Sequence, residues 1–195
     1  QSMMSLNEKA QKAYSLFSPF IKDYIYRNGW NELRKVQIDA AWEIFFTEKN
    51  LLLSSETASG KTEAALFPIL SMMEAESPEN FEVLYISPLK SLINDQFSRM
   101  ELLLDESGLP VHRWHGDVSQ SHKQSFLKKP SGLLQITPES LESMLINRSN
   151  DIPRLFCDLR YIVIDEIHTL MGSDRGNQII CQLQRISQKI GYSPR

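Results

Sequence analysis

Short apolar runs alternate with longer amphipathic stretches along most of this chain. The runs lie at 51–54, 83–87, 111–114, 133–137 and 161–165. Four are nearly continuous in apolar or β-branched residues, as strands covered on both faces must be, while Val111-His112-Arg113-Trp114 is more mixed. Helical periodicity over 61–75, 91–104, 119–128, 139–147 and about 176–190 predicts helices between and after them. Strand and helix repeated in this way predict an α/β fold, a parallel sheet with right-handed crossovers and helices on both faces. All strands of such a sheet end at one edge, and ligands bind in the loops there. Upstream, residues 7–46 read as mostly helical, interrupted near Asn28-Gly29, and are expected to pack around that same edge.

Composition narrows the class. The 195 residues suffice for one full core, and no repeat, low-complexity tract or Gly/Ser linker marks an internal boundary, so one domain is expected. Gln1-Ser2-Met3 reads as a tag remnant, and 4–46 as a helical N-terminal extension. With 42% hydrophobic and 23% charged residues the chain has ordinary globular composition, and no apolar run approaches the roughly 20 residues that span a bilayer. Cys157 and Cys181 are too few and too far apart for a disulfide framework or a zinc site, which suits a reducing, cytoplasmic setting. A net charge of -3 excludes a protein that coats nucleic acid through bulk positive charge, so any nucleic-acid site must be local.

Two segments carry candidate chemistry. Ser55-Glu56-Thr57-Ala58-Ser59-Gly60-Lys61-Thr62 follows the first apolar run and opens an amphipathic helix, the setting of a phosphate-binding P-loop. Small residues let backbone N–H groups curl around phosphates at a helix N-terminus. Lys61 is then expected on the β- and γ-phosphates and the Thr62 hydroxyl on Mg²⁺. The usual first glycine is Ser55, a departure from the strict pattern. The last run, Tyr161-Ile162-Val163-Ile164, ends in Asp165-Glu166-Ile167-His168. Two carboxylates after a buried strand fit a Walker B pair, with Asp165 holding Mg²⁺ and Glu166 activating the attacking water. Together these segments predict Mg-ATP hydrolysis. His112 and His115, three apart on a strand, face opposite sides and are not read as a metal pair.

P-loops also serve kinases, GTPases and transporters, so the class rests on further blocks. Asp165-Glu166-Ile167-His168 is a DExH box; Ser87-Pro88-Leu89-Lys90-Ser91-Leu92 and Thr137-Pro138-Glu139-Ser140-Leu141 match motifs Ia and Ib, and Gln37 matches an upstream Q-motif glutamine. In this order, over about 17–186, they resemble the first RecA-like motor domain of DEAD/DEAH helicases. Gly60-Lys61-Thr62-Glu63-Ala64-Ala65, Trp114-His115-Gly116-Asp117 and Arg175-Gly176-Asn177-Gln178 resemble the large-helicase-related (Lhr-like) branch. The resemblance implies a RecA-like P-loop NTPase domain that uses ATP and Mg²⁺, binds DNA or RNA, and closes on a second RecA-like domain of the same polypeptide, which these residues do not include. Residues 55–62 and Gln37 would hold nucleotide, and Lys61, Asp165, Glu166 and His168 would be catalytic. Pro88, Leu89, Lys90, Ser91, Thr137, Pro138, Glu139 and Ser140, with Gly116, would meet nucleic-acid backbone. Asp117 is left out because a carboxylate repels phosphate. Phe20 has the spacing of an aromatic that stacks on adenine. A translocase or remodeller that does not separate strands uses the same core and remains the alternative.

Overall fold

The computed structural model describes residues 4–54, 60–76 and 80–195. It divides into two compact units, Gln1–Ser77 with Arg195, and Pro78–Pro194.

The first unit is helical. Helix α1 (Leu6–Leu16) opens with a capping box: the Ser5 N–H donates to Glu8 Oε2 at 2.7 Å and the Glu8 N–H to Ser5 Oγ at 3.2 Å. Pro19 starts α2 (Pro19–Arg27), where its missing N–H costs nothing. The interruption foreseen at Asn28-Gly29 is the end of this helix, and Gly29 takes a φ of 66°. Helices α3 (Lys35–Phe46) and α4 (Lys61–Glu76) follow. Phe67 of α4 meets Phe17, Tyr24 and Trp30 with ring centroids 5.8, 5.9 and 5.8 Å apart, which centres an aromatic core among these elements. Phe20 is buried within α2's inner face. Arg195 donates to the carbonyls of Glu43 and Ile44 at 2.9 and 3.0 Å, and this cation satisfies the end of α3.

The expected strand at 51–54 does not form. Those residues are outside any strand and Leu52 is 72% exposed. Apolar patterning shows that a segment can be buried on a sheet, but only a hydrogen-bonding neighbour makes it a strand. No ladder includes Leu51 to Ser54 among the described residues.

The second unit holds the sheet. Strands β1 (Phe81–Ile86), β2 (Val111–Trp114), β3 (Gly132–Ile136) and β4 (Tyr161–Ile164) are parallel, in the order β2-β3-β1-β4. The connections are α5 (Lys90–Leu104) after β1, α6 (Gln120–Lys128) after β2, and α7 (Pro138–Asn147) with α8 (Ile152–Leu155) after β3. After β4 come α9 (Ile167–Leu170) and α10 (Asp174–Ile190). Leu84, Ile86, Leu134, Ile136 and Trp114 pack in one cluster with residues of α6, α7, α8 and α10. Arg113 lies on the opposite face and reaches Asn94 of α5 at 3.3 Å, so helices cover both faces as expected. Phe81 joins the same cluster as Leu84, three residues on, because the register shifts between Phe81 and Val83.

Candidate functional site

Register brings the predicted residues of the second unit to one level. Trp114 pairs with Ile136, Ile136 with Ile86, and Ile86 with Ile164, so all four strands end in line. One more rung extends past the strands: the Ser87 N–H donates to the Ile136 carbonyl at 3.0 Å and the Asp165 N–H to the Ile86 carbonyl at 2.9 Å. The loops beginning at Ser87, His115, Thr137 and Asp165 therefore leave the same edge.

At the end of β4 the carboxylate of Asp165 is fixed by three donors. Its Oδ2 accepts from the Tyr85 hydroxyl at 3.1 Å and from Gln96 Nε2 at 2.9 Å, and its Oδ1 from the Glu166 N–H at 2.9 Å. Tyr85 comes from β1 and Gln96 from α5, so the orientation of this acid is set by two neighbouring elements. Glu166 adopts a left-handed conformation, φ 53° and ψ 37°, which costs an ordinary side chain roughly 1–2 kcal/mol. The sharp turn ends the strand and starts α9 at once. His168, one residue into that helix, puts Nε2 3.1 Å from Glu166 Oε2, so the DExH histidine orients the glutamate.

Motif Ia lies between β1 and α5. Leu89 is the N-cap of α5 and provides no side-chain cap, so the first-turn N–H groups at Lys90 and Ser91 carry none of the usual side-chain acceptors. Pro88 precedes the cap and is buried. Its role is to turn the chain; Leu89, Lys90 and Ser91 are the exposed members. Motif Ib is different. Thr137 is the N-cap of α7 and accepts the Ser140 N–H at 3.3 Å, Pro138 is in the first turn, and Glu139 is exposed beside them. The Thr137 oxygen is therefore committed to its own helix, although the hydroxyl proton is still available to an acceptor.

The loop after β2 is tied to α5. His115 is buried; its Nδ1 accepts the Asp117 N–H at 3.2 Å and its Nε2 donates to Asn94 Oδ1 at 3.0 Å, which fixes one tautomer. Burial holds the His115 pKa below its ordinary value. Asp117, set aside as repelling phosphate, forms a 2.6 Å ion pair with Lys90, and this hydrogen bond holds its carboxyl below the usual range. Gly116 is exposed and a Cβ there would meet nothing within 4 Å, so the space above it is open among the described residues. His112 instead packs its ring 5.1 Å from Phe126, away from His115's partners.

In the first unit, Gly60 precedes α4 with a φ of 76°, and Lys61 and Thr62 begin that helix half-buried. Ser55, Glu56, Thr57, Ala58 and Ser59 lie outside the described residues. Gln37 is buried in the first turn of α3. Its Oε1 accepts the Arg34 N–H at 2.9 Å, and its Nε2 faces the Gly60 carbonyl at 3.5 Å. Q-motif glutamine and P-loop glycine are thus neighbours.

Sequence reasoning missed three side chains at the sheet edge: Tyr85, Gln96 and Arg175. Tyr85 and Gln96 carry no motif, and only pairing and packing bring them to Asp165. Arg175 was visible only as part of a branch phrase. It forms a 2.8 Å ion pair with Glu139 and donates Nη2 to the Pro88 carbonyl.

Comparisons with known proteins bear on the family and the fold. A family model described as DEAD/DEAH box helicase matches residues 34–193. The ATP-dependent helicase Lhr-Core of Methanothermobacter thermautotrophicus is 28% identical over 194 residues, covering 91% of this chain and 22% of that protein. Lhr-Core of Saccharolobus solfataricus is 33% identical over 187 residues, covering 89% of this chain and 21% of that protein. Among solved structures, the Mycobacterium smegmatis helicase Lhr bound to ssDNA and AMP-PNP superimposes with a TM-score of 0.78 at 25% identity, over 93% of this chain and 24% of that one. The chain thus spans about a fifth of the length of these relatives.

Proposed function

The chain belongs to the DEAD/DEAH box helicase family, with its likeness on the Lhr side, and we propose that it is the ATP-binding motor domain of a nucleic-acid helicase. The observation that carries this reading is the common level of the strand ends. It places the acid pair Asp165-Glu166 on the same sheet edge as the uncapped start of α5 and the Thr137 loop. A motor must link hydrolysis to a grip on nucleic acid, and this one sheet edge carries candidate residues for each.

Lys61 neutralises charge on the β- and γ-phosphates, with residues 55–60 as the backbone cradle and Gln37 beside it reading the adenine edge. Glu166, steadied by His168, accepts a proton from the water that attacks the γ-phosphorus, and ADP leaves. The Thr62 hydroxyl and the Asp165 carboxylate are hard oxygen donors that suit Mg²⁺, and the bonds from Tyr85, Gln96 and the Glu166 N–H aim that carboxylate without consuming all its lone pairs. When bound, Mg²⁺ supplies charge neutralisation at the phosphates. On the nucleic-acid side, the N–H groups of α5's first turn, the Ser91, Thr137 and Ser140 hydroxyls and Lys90 bind backbone phosphates without reading bases. Single-stranded DNA, the ligand of the Mycobacterium smegmatis relative, is the first substrate to test, with RNA as the parallel arm. A second RecA-like domain completes the site, and the protein works where ATP and nucleic acid are found, in the cytoplasm.

In the intact polypeptide, Lys61→Ala should abolish nucleic-acid-stimulated ATP turnover, since its ammonium is the charge assigned to the transferred phosphate. Glu166→Gln should retain Mg-ATP affinity and lose turnover by about 10²-fold or more. Full turnover in the lysine variant, or nucleotide affinity lost together with rate in the glutamine variant, would remove these roles. Strand displacement measured beside ATPase separates a helicase from a translocase.

A further inference from the structure

Two loops that the proposed function assigns to phosphates are joined by a side chain that it does not use. Arg175 is the second residue of α10. Its Nη2 donates to the carbonyl of Pro88, in motif Ia, and lies 2.8 Å from Oε1 of Glu139, in motif Ib. Both contacts are made by the one terminal Nη2 group, and Arg175 Nε is buried behind it.

The position of this arginine is itself built. The Ser173 hydroxyl donates to the Leu170 carbonyl at 2.6 Å and accepts the Gly176 N–H at 3.2 Å, which joins the end of α9 to the start of α10. Gly176 is needed for that approach: a Cβ there would stand 2.1 Å from the Leu170 carbonyl oxygen. The segment leaving the DExH box therefore delivers Arg175 to the two loops in a fixed pose. Helix α7 is fastened to α10 independently, through Gln182 Nε2 to the Pro138 carbonyl at 2.8 Å and Arg185 to Glu142 at 2.6 Å. What Arg175 adds to this anchored pair is motif Ia.

We infer that Arg175 is a positioning residue for nucleic-acid binding, whose guanidinium sets the separation of the motif Ia and motif Ib loops and ties both to the segment after the DExH box. The inference rests on the proposed function of those loops. Adjacent phosphates of one strand bind well only where both contacts are held at the right spacing in advance, so a clamp between the loops acts on affinity without touching the ligand. Arginine suits the task because the two N–H bonds of Nη2 diverge in the fixed guanidinium plane at the end of a stem one atom longer than lysine's, whereas a lysine ammonium is a freely rotating point charge on a shorter reach.

The sign of one substitution separates this clamp from simple electrostatics. Glu139 is an exposed carboxylate beside a phosphate site, so as a mere charge its removal should tighten binding. As half of the clamp, its removal should weaken binding. The measurement is fluorescence anisotropy of a labelled oligo-dT strand with the intact protein and AMP-PNP. Arg175→Ala, Arg175→Lys and Glu139→Ala should each raise Kd, the first by roughly tenfold, and the double variant R175A/E139A should be no weaker than R175A. Wild-type affinity in R175K, tighter binding in E139A, or additive losses in the double variant would overturn the clamp. If R175A does not fold, R175K and the exposed Glu139 variant still decide. Lys90→Ala is the control for the underlying reading. Loss of affinity in K90A with R175A and E139A unchanged removes only the clamp, whereas K90A at wild-type Kd removes the phosphate role of the loop.

Discussion

On the proposed nucleotide side, Gly60 is a constrained residue. Its φ of 76° is open to glycine and costs other residues, and a Cβ at this position would also lie 2.5 Å from Gln37 Nε2. Two separate penalties therefore attend Gly60→Ala: roughly 1–2 kcal/mol for the backbone and a further cost for displacing a buried amide. Only the second depends on Gln37. In a denaturant titration Gly60→Ala should lose more stability in the parent than in a Gln37→Ala background, by about 1 kcal/mol. Equal losses in both backgrounds would show that the two side chains do not meet. Gln37→Ala alone should weaken ATP more than GTP in a competition assay, because its amide is the one base-reading group proposed here. The residue scale also shows why some roles were not legible in sequence. Tyr85 and Gln96 act on Asp165 only because β1 pairs with β4 and α5 crosses the sheet; neither spacing nor composition announces that.

At the scale of elements, patterning was a good guide wherever a strand is covered on both faces. The helix expected over 139–147 forms as Pro138–Asn147, that over 91–104 as Lys90–Leu104, and the strand at 111–114 as Val111–Trp114 despite its mixed composition. The run at 51–54 failed because an apolar stretch states a tendency to be buried, while a ladder requires a partner at the right distance. The loop after β2 adds a pH-dependent element. His115 must remain neutral, since its Nδ1 accepts the Asp117 N–H and its Nε2 proton goes to Asn94. Burial lowers its pKa from 6.5 in the fold, opposed by Asp117 and reinforced by Arg113, Lys90 and Lys123. The unfolded chain therefore takes up this proton first, so the contribution is present at neutral pH and is lost as pH falls below the ordinary histidine value. Melting measured between about pH 7.5 and 5.5 should show Tm falling with acidification, and His115→Asn should flatten that fall. The remaining slope belongs to His112, whose burial shifts it in the same direction. An identical pH profile in the parent and the asparagine variant would place the proton elsewhere.

At the scale of the whole molecule, the net charge of -3 and the local character of the candidate site agree: the proposed nucleic-acid contacts are a few N–H groups, hydroxyls and Lys90 on one edge. The proposed catalytic inventory is equally partial by chemistry. The proposed function assigns Lys61 and residues 55–60 to the phosphates, Thr62 and Asp165 to Mg²⁺ and Glu166 to the water's proton, but the charge that builds on the transferred phosphoryl group needs a cation of its own. An arginine finger makes that contribution in related motors, worth roughly 10³ to 10⁵ in rate, and the resemblance implies that a second RecA-like domain brings it across the cleft. These 195 residues, tested as an isolated polypeptide, should therefore bind adenine nucleotide weakly, turn ATP over slower than the intact protein by about that factor, and unwind nothing when single-stranded DNA or RNA is added. Steady-state phosphate release from both forms, with and without nucleic acid, measures the ratio. Stimulated turnover of the isolated chain at the intact protein's rate would mean that the stabilising cation lies within these residues, and the two-domain division of labour would have to be abandoned.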